Sequence, residues 1–173
     1  MEVLASDPHP SSEAAAELGF NYVSLDELLE RADVVTLHVP FTKETHHLIH
    51  HENIRGMKRG AILINTSRGG VLDTDALVNA LAEGIVGGAG LDVLEEEEAM
   101  KDEREALLYG RGDLEEMRTV LENHMLIDME NVVITPHNAF NTKEAEERIM
   151  ATTVENIRAF VEGRVVNAVK RSV

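Results

Sequence analysis

The sequence predicts an α/β fold built on a doubly wound parallel sheet. Three observations predict it. Short aliphatic runs rich in β-branched residues alternate with helical patterns from end to end. The strand candidates are almost continuously apolar, as strands buried on both faces of a parallel sheet are. The composition also demands an aliphatic core, since 43% of the 173 residues are hydrophobic and only 3% aromatic. Val, Ile, Leu, Ala and Met must fill it.

The elements follow in order along the chain. Residues 3–6 form the first strand candidate. The helical pattern over 11–18 opens with serines, and that over 25–30 follows Ser24, a candidate N-cap. Residues 33–39 and 61–65 read as the next two strands. The pattern over 73–83 begins with acids, favourable at a helix N-terminus, and stops at Gly84 as a helix closed by glycine does. Residues 85–91 and 132–134 complete the strand set. Gly87–Gly90 superficially resembles a phosphate-binding loop, but it lies inside a strand pattern and reads as close backbone packing. Residues 95–129 break the rhythm as a charged, helical insertion before the last strand. From Thr142 onward, Ala145, Ile149, Val154, Ile157 and Phe160 recur at helical spacing, and Gly163 ends that helix. Right-handed crossovers joining such elements give a parallel sheet covered on both faces.

Composition excludes several function classes. The absence of cysteine rules out disulfides, thiolate zinc sites and a thiol nucleophile. A formal net charge of −16 argues against a nucleic-acid partner, whose phosphates favour a basic face. Most of the acids between Glu95 and Glu122 read as solvated surface. No apolar run approaches the roughly 20 residues that span a membrane. The opening MEVLASDPHP has neither the basic nor the apolar region of a signal peptide, so a cytoplasmic location without membrane partners is expected.

In open parallel sheets, ligands bind beyond the carboxyl ends of the strands. Asp7 follows the first strand candidate and His38-Val39-Pro40 the second. Asn65-Thr66-Ser67-Arg68-Gly69-Gly70 follows the third, Asp92 the fourth and Thr135-Pro136-His137 the fifth. Five strand ends thus supply polar groups to one crevice.

The stretches VTLHVPFTKETHHLI, AILINTSRGGVLDTDALVNAL, GAGLDVLEEE and NVVITPHNAF, in this order, resemble successive motifs of the D-isomer-specific 2-hydroxyacid dehydrogenases. The similarity runs through essentially all of the chain. The form around Asp92–Glu97 and the insertion after it look most like D-lactate dehydrogenases. The resemblance implies a Rossmann-like NAD-binding domain and reversible hydride transfer between NAD(H) and a small 2-keto or 2-hydroxy acid, with D-lactate/pyruvate the first substrate guess. It implies a catalytic set of Arg68, Glu97 and His137. Arg68 would clamp the substrate carboxylate in bidentate geometry, His137 would be the acid/base, and Glu97 would pair with that imidazole. The acid is open among Glu95, Glu96, Glu97 and Glu98; the pattern D-x-x-E-x-E, counted from Asp92, ends on Glu97. For the cofactor, Asp7 would bind the adenosine ribose, favouring NAD over NADP. Val39, Pro40, Thr45, Thr66, Ser67 and Arg68 would line the dinucleotide, and Asp92 would lie near its nicotinamide end. A homodimer through the cofactor domain is a further implied expectation.

Each of these residues also has a plainer reading. Arg68 could pair with a surface carboxylate, His137 could be a loop histidine, Asp7 could close an Asx turn before Pro8, and Gly69-Gly70 could be only a tight turn. His46/His50 and His47/His51 are i, i+4 pairs that could bind zinc from one helix face. Without thiolates, and in a motif that needs no metal in the family, no metal site is expected. A Rossmann unit places a strand, a glycine-rich turn and a helix roughly 20 residues before its ribose-binding acid. Asp7 has six residues before it. The expected organisation is therefore residues 1–141 as a cofactor domain incomplete at its N-terminus, lacking G-x-G-x-x-G. Residues 142–173 would be a helix and tail returning to a substrate domain. Such a chain would be inactive alone, and a non-catalytic dehydrogenase-like binding or regulatory module is the competing expectation.

Overall fold

The computed structural model describes residues 1–97 and 114–168. They divide into two units, Met1–Pro136 and His137–Val173. The first holds all the strands: β1 (Leu4–Ala5), β2 (Asn21–Tyr22), β3 (Val34–Leu37), β4 (Ala61–Asn65), β5 (Val86–Leu91) and β6 (Val132–Ile134). Its helices are α1 (Ser12–Leu18), α2 (Leu25–Arg31), α3 (His51–Ile54), α4 (Thr74–Ala82) and α5 (Leu114–Asp128), with a 3-10 turn at Gly69–Val71. The second unit carries α6 (Lys143–Val161). All pairings are parallel, so the α/β class stands. The strands form two sheets, β1-β2 and β3-β4-β5-β6. The expectation of a single sheet misses this because the partner of β1 is β2, only two residues long.

The helices begin where the capping chemistry places them. The Ser11, Ser24, Asp73 and Thr142 side chains accept backbone N–H groups of the first turns of α1, α2, α4 and α6 at 3.1–3.2 Å. Gly84 follows α4 with φ 66°, the left-handed conformation that a side chain resists.

The core is aliphatic, as composition demanded. Leu29, Ile49, Leu63, Val71, Leu77 and Val86 are all at most 1% exposed, each worth about 1.5–3 kcal/mol of burial. Near the start of β5 the register against β4 shifts, with Ala61 opposite Val86 and Ile62 opposite Gly88. Gly87 is the extra residue of this bulge, and a Cβ there would lie 2.5 Å from the Gly60 carbonyl oxygen. The glycine run is therefore the close backbone packing expected of it.

Two expectations need correction. The sheet is not covered on both faces throughout: burial alternates along β3 and β4, and Val34 and Val133 are exposed. The acidic stretch is not simply solvated either. In α5, Val120, Glu122, Asn123 and Leu126 are buried, and the helix packs on α4 and β6. Residues 98–113 of that stretch lie outside the described residues.

Glu122 illustrates the cost. Burial, then repulsion from Asp75, push its carboxyl above the usual range despite Arg118 at 2.8 Å. Burial also acts to raise Asp75, but hydrogen bonds and charge from Arg118, with a contribution from His51, leave it below the usual range. A raised folded-state pKa gives stability that is present at low pH and lost as pH rises through the folded value; the Asp75 shift has the opposite sign. Glu122→Gln mimics the protonated form. Its Tm at pH 7 should equal or exceed the parent's, with any advantage vanishing below the ordinary glutamate range of about 4.3. A lower Tm at pH 7 would mean that the Arg118 pairing outweighs burial.

Candidate active site

The carboxyl end of β4 is organised by one side chain. Asn65 is 1% exposed. Its Oδ1 accepts the Ser67 amide at 3.0 Å and the Ser67 hydroxyl at 2.8 Å, and its Nδ2 donates to the Arg68 carbonyl at 3.0 Å. The turn so formed runs into the Gly69–Val71 3-10 turn. Gly69 is required there, because a Cβ would overlap the Leu94 carbonyl. Arg68 is left exposed on this rigid turn, its guanidinium donating only locally, to the Ser67 carbonyl at 2.7 Å. Among the described residues no carboxylate pairs with it. Among the described residues, the surface ion pair that would explain Arg68 trivially is not made.

The neighbouring strand ends are laced to the same point. The Asp92 amide donates to the Asn65 carbonyl at 2.9 Å. The Asp92 carboxylate, 5% exposed, accepts the Thr135 hydroxyl at 2.5 Å. Thr135 in turn donates its amide to Leu91 at 2.9 Å, so β5 and β6 end together. Sequence reading quoted Asn65 only as part of a motif. Its burial between Leu37 and Leu91 of the flanking strands shows only in the structure, and a buried amide must find partners.

Beyond Asp92 the four candidate acids separate. Glu95 is committed: its Oε1 hydrogen-bonds His47 Nε2 at 2.6 Å, while Oε2 accepts the Thr74 amide and hydroxyl at 3.2 and 2.9 Å. Glu96 is exposed with φ 51°, and Glu97 is half-buried. Glu98 lies outside the described residues. His137 opens the second unit, exposed and with φ 51°.

The residues expected to meet a dinucleotide are placed as follows. Asp7 is exposed, and its Oδ1 accepts the His9 amide at 2.7 Å, so the Asx turn does form. Val39 is half-buried against the core, while Pro40 and Thr66 are exposed. The Thr45 hydroxyl donates to the Pro40 carbonyl at 2.6 Å and accepts the Thr42 amide at 2.8 Å, so it shapes the loop after β3. Ser67 is turned inward to Asn65.

The sequence profile described as "D-isomer specific 2-hydroxyacid dehydrogenase, NAD binding domain" matches residues 1–139. The chain belongs to that family. It is 41% identical over 165 residues to a glyoxylate reductase of Korarchaeum cryptofilum, covering 95% of this chain and 43% of that protein. It is 43% identical over 143 residues to a D-specific alpha-keto acid dehydrogenase of Enterococcus faecium. Among solved structures it is similar to the D-lactate dehydrogenase of Aquifex aeolicus in complex with NAD and lactic acid, at 43% identity and TM-score 0.76 over 94% of this chain and 47% of that one. The D-isomer-specific 2-hydroxyacid dehydrogenase of Lactobacillus delbrueckii ssp. bulgaricus, in its NAD complex, gives TM-score 0.79 at 30% identity, over 98% of this chain and 48% of that one. The chain spans less than half the length of these relatives.

NAD is the cofactor of this domain family. Asp7, an exposed carboxylate just past β1, and the apolar Val39-Pro40 pair after β3 are chemically compatible with it. The sequence contains no G-x-G-x-x-G to cradle the pyrophosphate.

Asn65 gives the sharpest structural prediction. Asn65→Leu keeps the branched outline of the side chain but leaves the Ser67 amide and Arg68 carbonyl without partners, and should cost about 1–3 kcal/mol. Urea unfolding measures it; a change within about 0.5 kcal/mol, typical of an inert surface site, would show that the turn holds without the amide.

Proposed function

We propose that this chain carries the substrate-carboxylate clamp and the acid/base of an NAD-dependent D-2-hydroxyacid dehydrogenase acting on a small 2-keto acid such as pyruvate. The observation that carries the reading is the turn anchored by Asn65, which leaves Arg68 exposed and unpaired by any described carboxylate at the carboxyl end of β4. A planar guanidinium on a fixed turn suits a planar carboxylate, and the two hydrogen bonds orient the adjacent keto carbon. NAD, when bound, supplies or accepts the hydride. His137 gives a proton to the carbonyl oxygen as the hydroxy acid forms, and takes it back in oxidation. Glu97 is the acid that would assist His137 in this role. Commitment of Glu95 to His47 and Thr74 supports Glu97 as this acid. Asp7, Val39, Pro40, Thr66 and Arg68 would hold the dinucleotide, and Asp92 would brace the nicotinamide end through its tie to Thr135.

Without a glycine-rich pyrophosphate cradle, dinucleotide affinity is weak, poorer than the roughly 1 mM that bounds ordinary KM values. Titration of NADH fluorescence checks this; saturation at micromolar NADH would sink it. NADH oxidation with pyruvate and with bulkier 2-keto acids, at high dinucleotide, tests the chemistry. His137→Ala should lower turnover by about 10²–10⁴-fold, and Arg68→Gln should raise the KM for the keto acid. A His137→Ala variant as active as its parent would remove His137 from the mechanism.

A further inference from the structure

The histidine run was expected to matter, if at all, through helical i, i+4 pairs. The structure does not make them. The only helix here, α3, spans His51–Ile54. His50 Nδ1 accepts the Glu52 amide at 3.3 Å, and His51 Nε2 pairs with Asp75 at 2.7 Å. A different set converges. His46 and His47 stack with ring centroids 4.0 Å apart, and one ligand atom each from His46, His47 and Glu95 lies within 4.8 Å of the others.

Adjacent residues rarely present two rings to one point. Here His47 has φ 48°, and its amide donates to the Gly70 carbonyl at 2.8 Å. Such a backbone conformation in a residue with a side chain persists only when its surroundings enforce it. They do: the loop before it is closed by Thr45, and Ile49 after it is fully buried and bridged to Leu72.

We propose that His46, His47 and Glu95 form a binding site for one divalent cation of the zinc class. Two imidazoles and a carboxylate, with no thiolate, suit zinc and its borderline neighbours rather than magnesium or calcium. Three protein ligands leave a fourth position to water. A tetrahedral ion about 2.1 Å from each donor sets the donors ~3.4 Å apart. That spacing needs His46, which is exposed, to rotate inward and the 2.6 Å His47–Glu95 contact to open.

The surroundings are those of a metal site. Thr74 fixes Glu95 through Oε2, leaving Oε1 toward His47. Asp73 caps α4 with Oδ1, and its Oδ2 lies 3.9 Å from His47 Nδ1, the place of an outer carboxylate that orients a ligating imidazole. The cavity over the cluster, about 420 Å³, is lined by Asp73, Asp75, Glu96, Glu115, Glu116 and Glu122 besides the ligands, with Arg118 the lining cation.

The test uses the whole chain, stripped with chelator, and titrated with Co²⁺ by visible absorption and with Zn²⁺ by thermal shift. One equivalent should bind, and Tm should climb with the logarithm of free zinc. His46→Ala and Glu95→Gln should each weaken binding by at least roughly 10-fold, since loss of even an outer-shell partner costs roughly 10–100-fold. The double variant His50→Ala/His51→Ala should bind like the parent. Loss of binding in that double variant, unchanged binding in Glu95→Gln, or no binding by the parent would each overturn the assignment.

Discussion

A single buried amide, that of Asn65, fixes the end of the sheet on which the candidate site is built. An amide with no access to water must satisfy its acceptor and donor within the protein. Here both are satisfied by the two residues that follow in the same turn, Ser67 and Arg68. Its backbone carbonyl takes the Asp92 amide. Asp92 takes the Thr135 hydroxyl, and Thr135 is bonded back to Leu91. Three strand ends are therefore held in register by a short chain of hydrogen bonds. Arg68 inherits its placement from that chain, with no ion pair to a described carboxylate.

This explains which parts of the molecule were legible in the sequence. The long central strands announce themselves through aliphatic runs, because burial in a parallel sheet selects them. β2 does not, since two residues at Asn21–Tyr22 carry no periodicity. The caps at Ser11, Ser24, Asp73 and Thr142 were readable because each is a local bond spanning three residues. α5 was readable as a helix but not as a core element: its buried face mixes Val120 and Leu126 with Glu122 and Asn123, so acid content hid the packing. Arg68 stood out through its motif, whereas the role of Asn65 depends on contacts that spacing does not encode. The helical i, i+4 geometry of the histidines failed for the same reason. Counting residues along one helix could not bring in Glu95, 48 positions away.

The N-terminus of α4 connects the two halves of the molecule's chemistry. Its first amides and the partial positive charge they carry favour carboxylates. Asp73 caps it, and Glu95 reaches in from the loop after β5 to accept the Thr74 amide and hydroxyl. The backbone carbonyl of Glu95 is also held, by the Asn123 side chain of α5. Glu97 lies two residues beyond this anchor, and Arg68 lies six residues before Thr74 on the same continuous stretch from β4 to α4. The acid proposed to pair with the catalytic histidine and the cation proposed to clamp substrate are thus referred to one rigid segment, residues 65–74. Any ion bound at Glu95 acts on that anchor: it replaces a single imidazole contact with a coordination bond and holds the start of the acidic segment against α4. The acid proposed for catalysis and the histidine cluster, unrelated in sequence pattern, meet in this way at one carboxylate, that of Glu95.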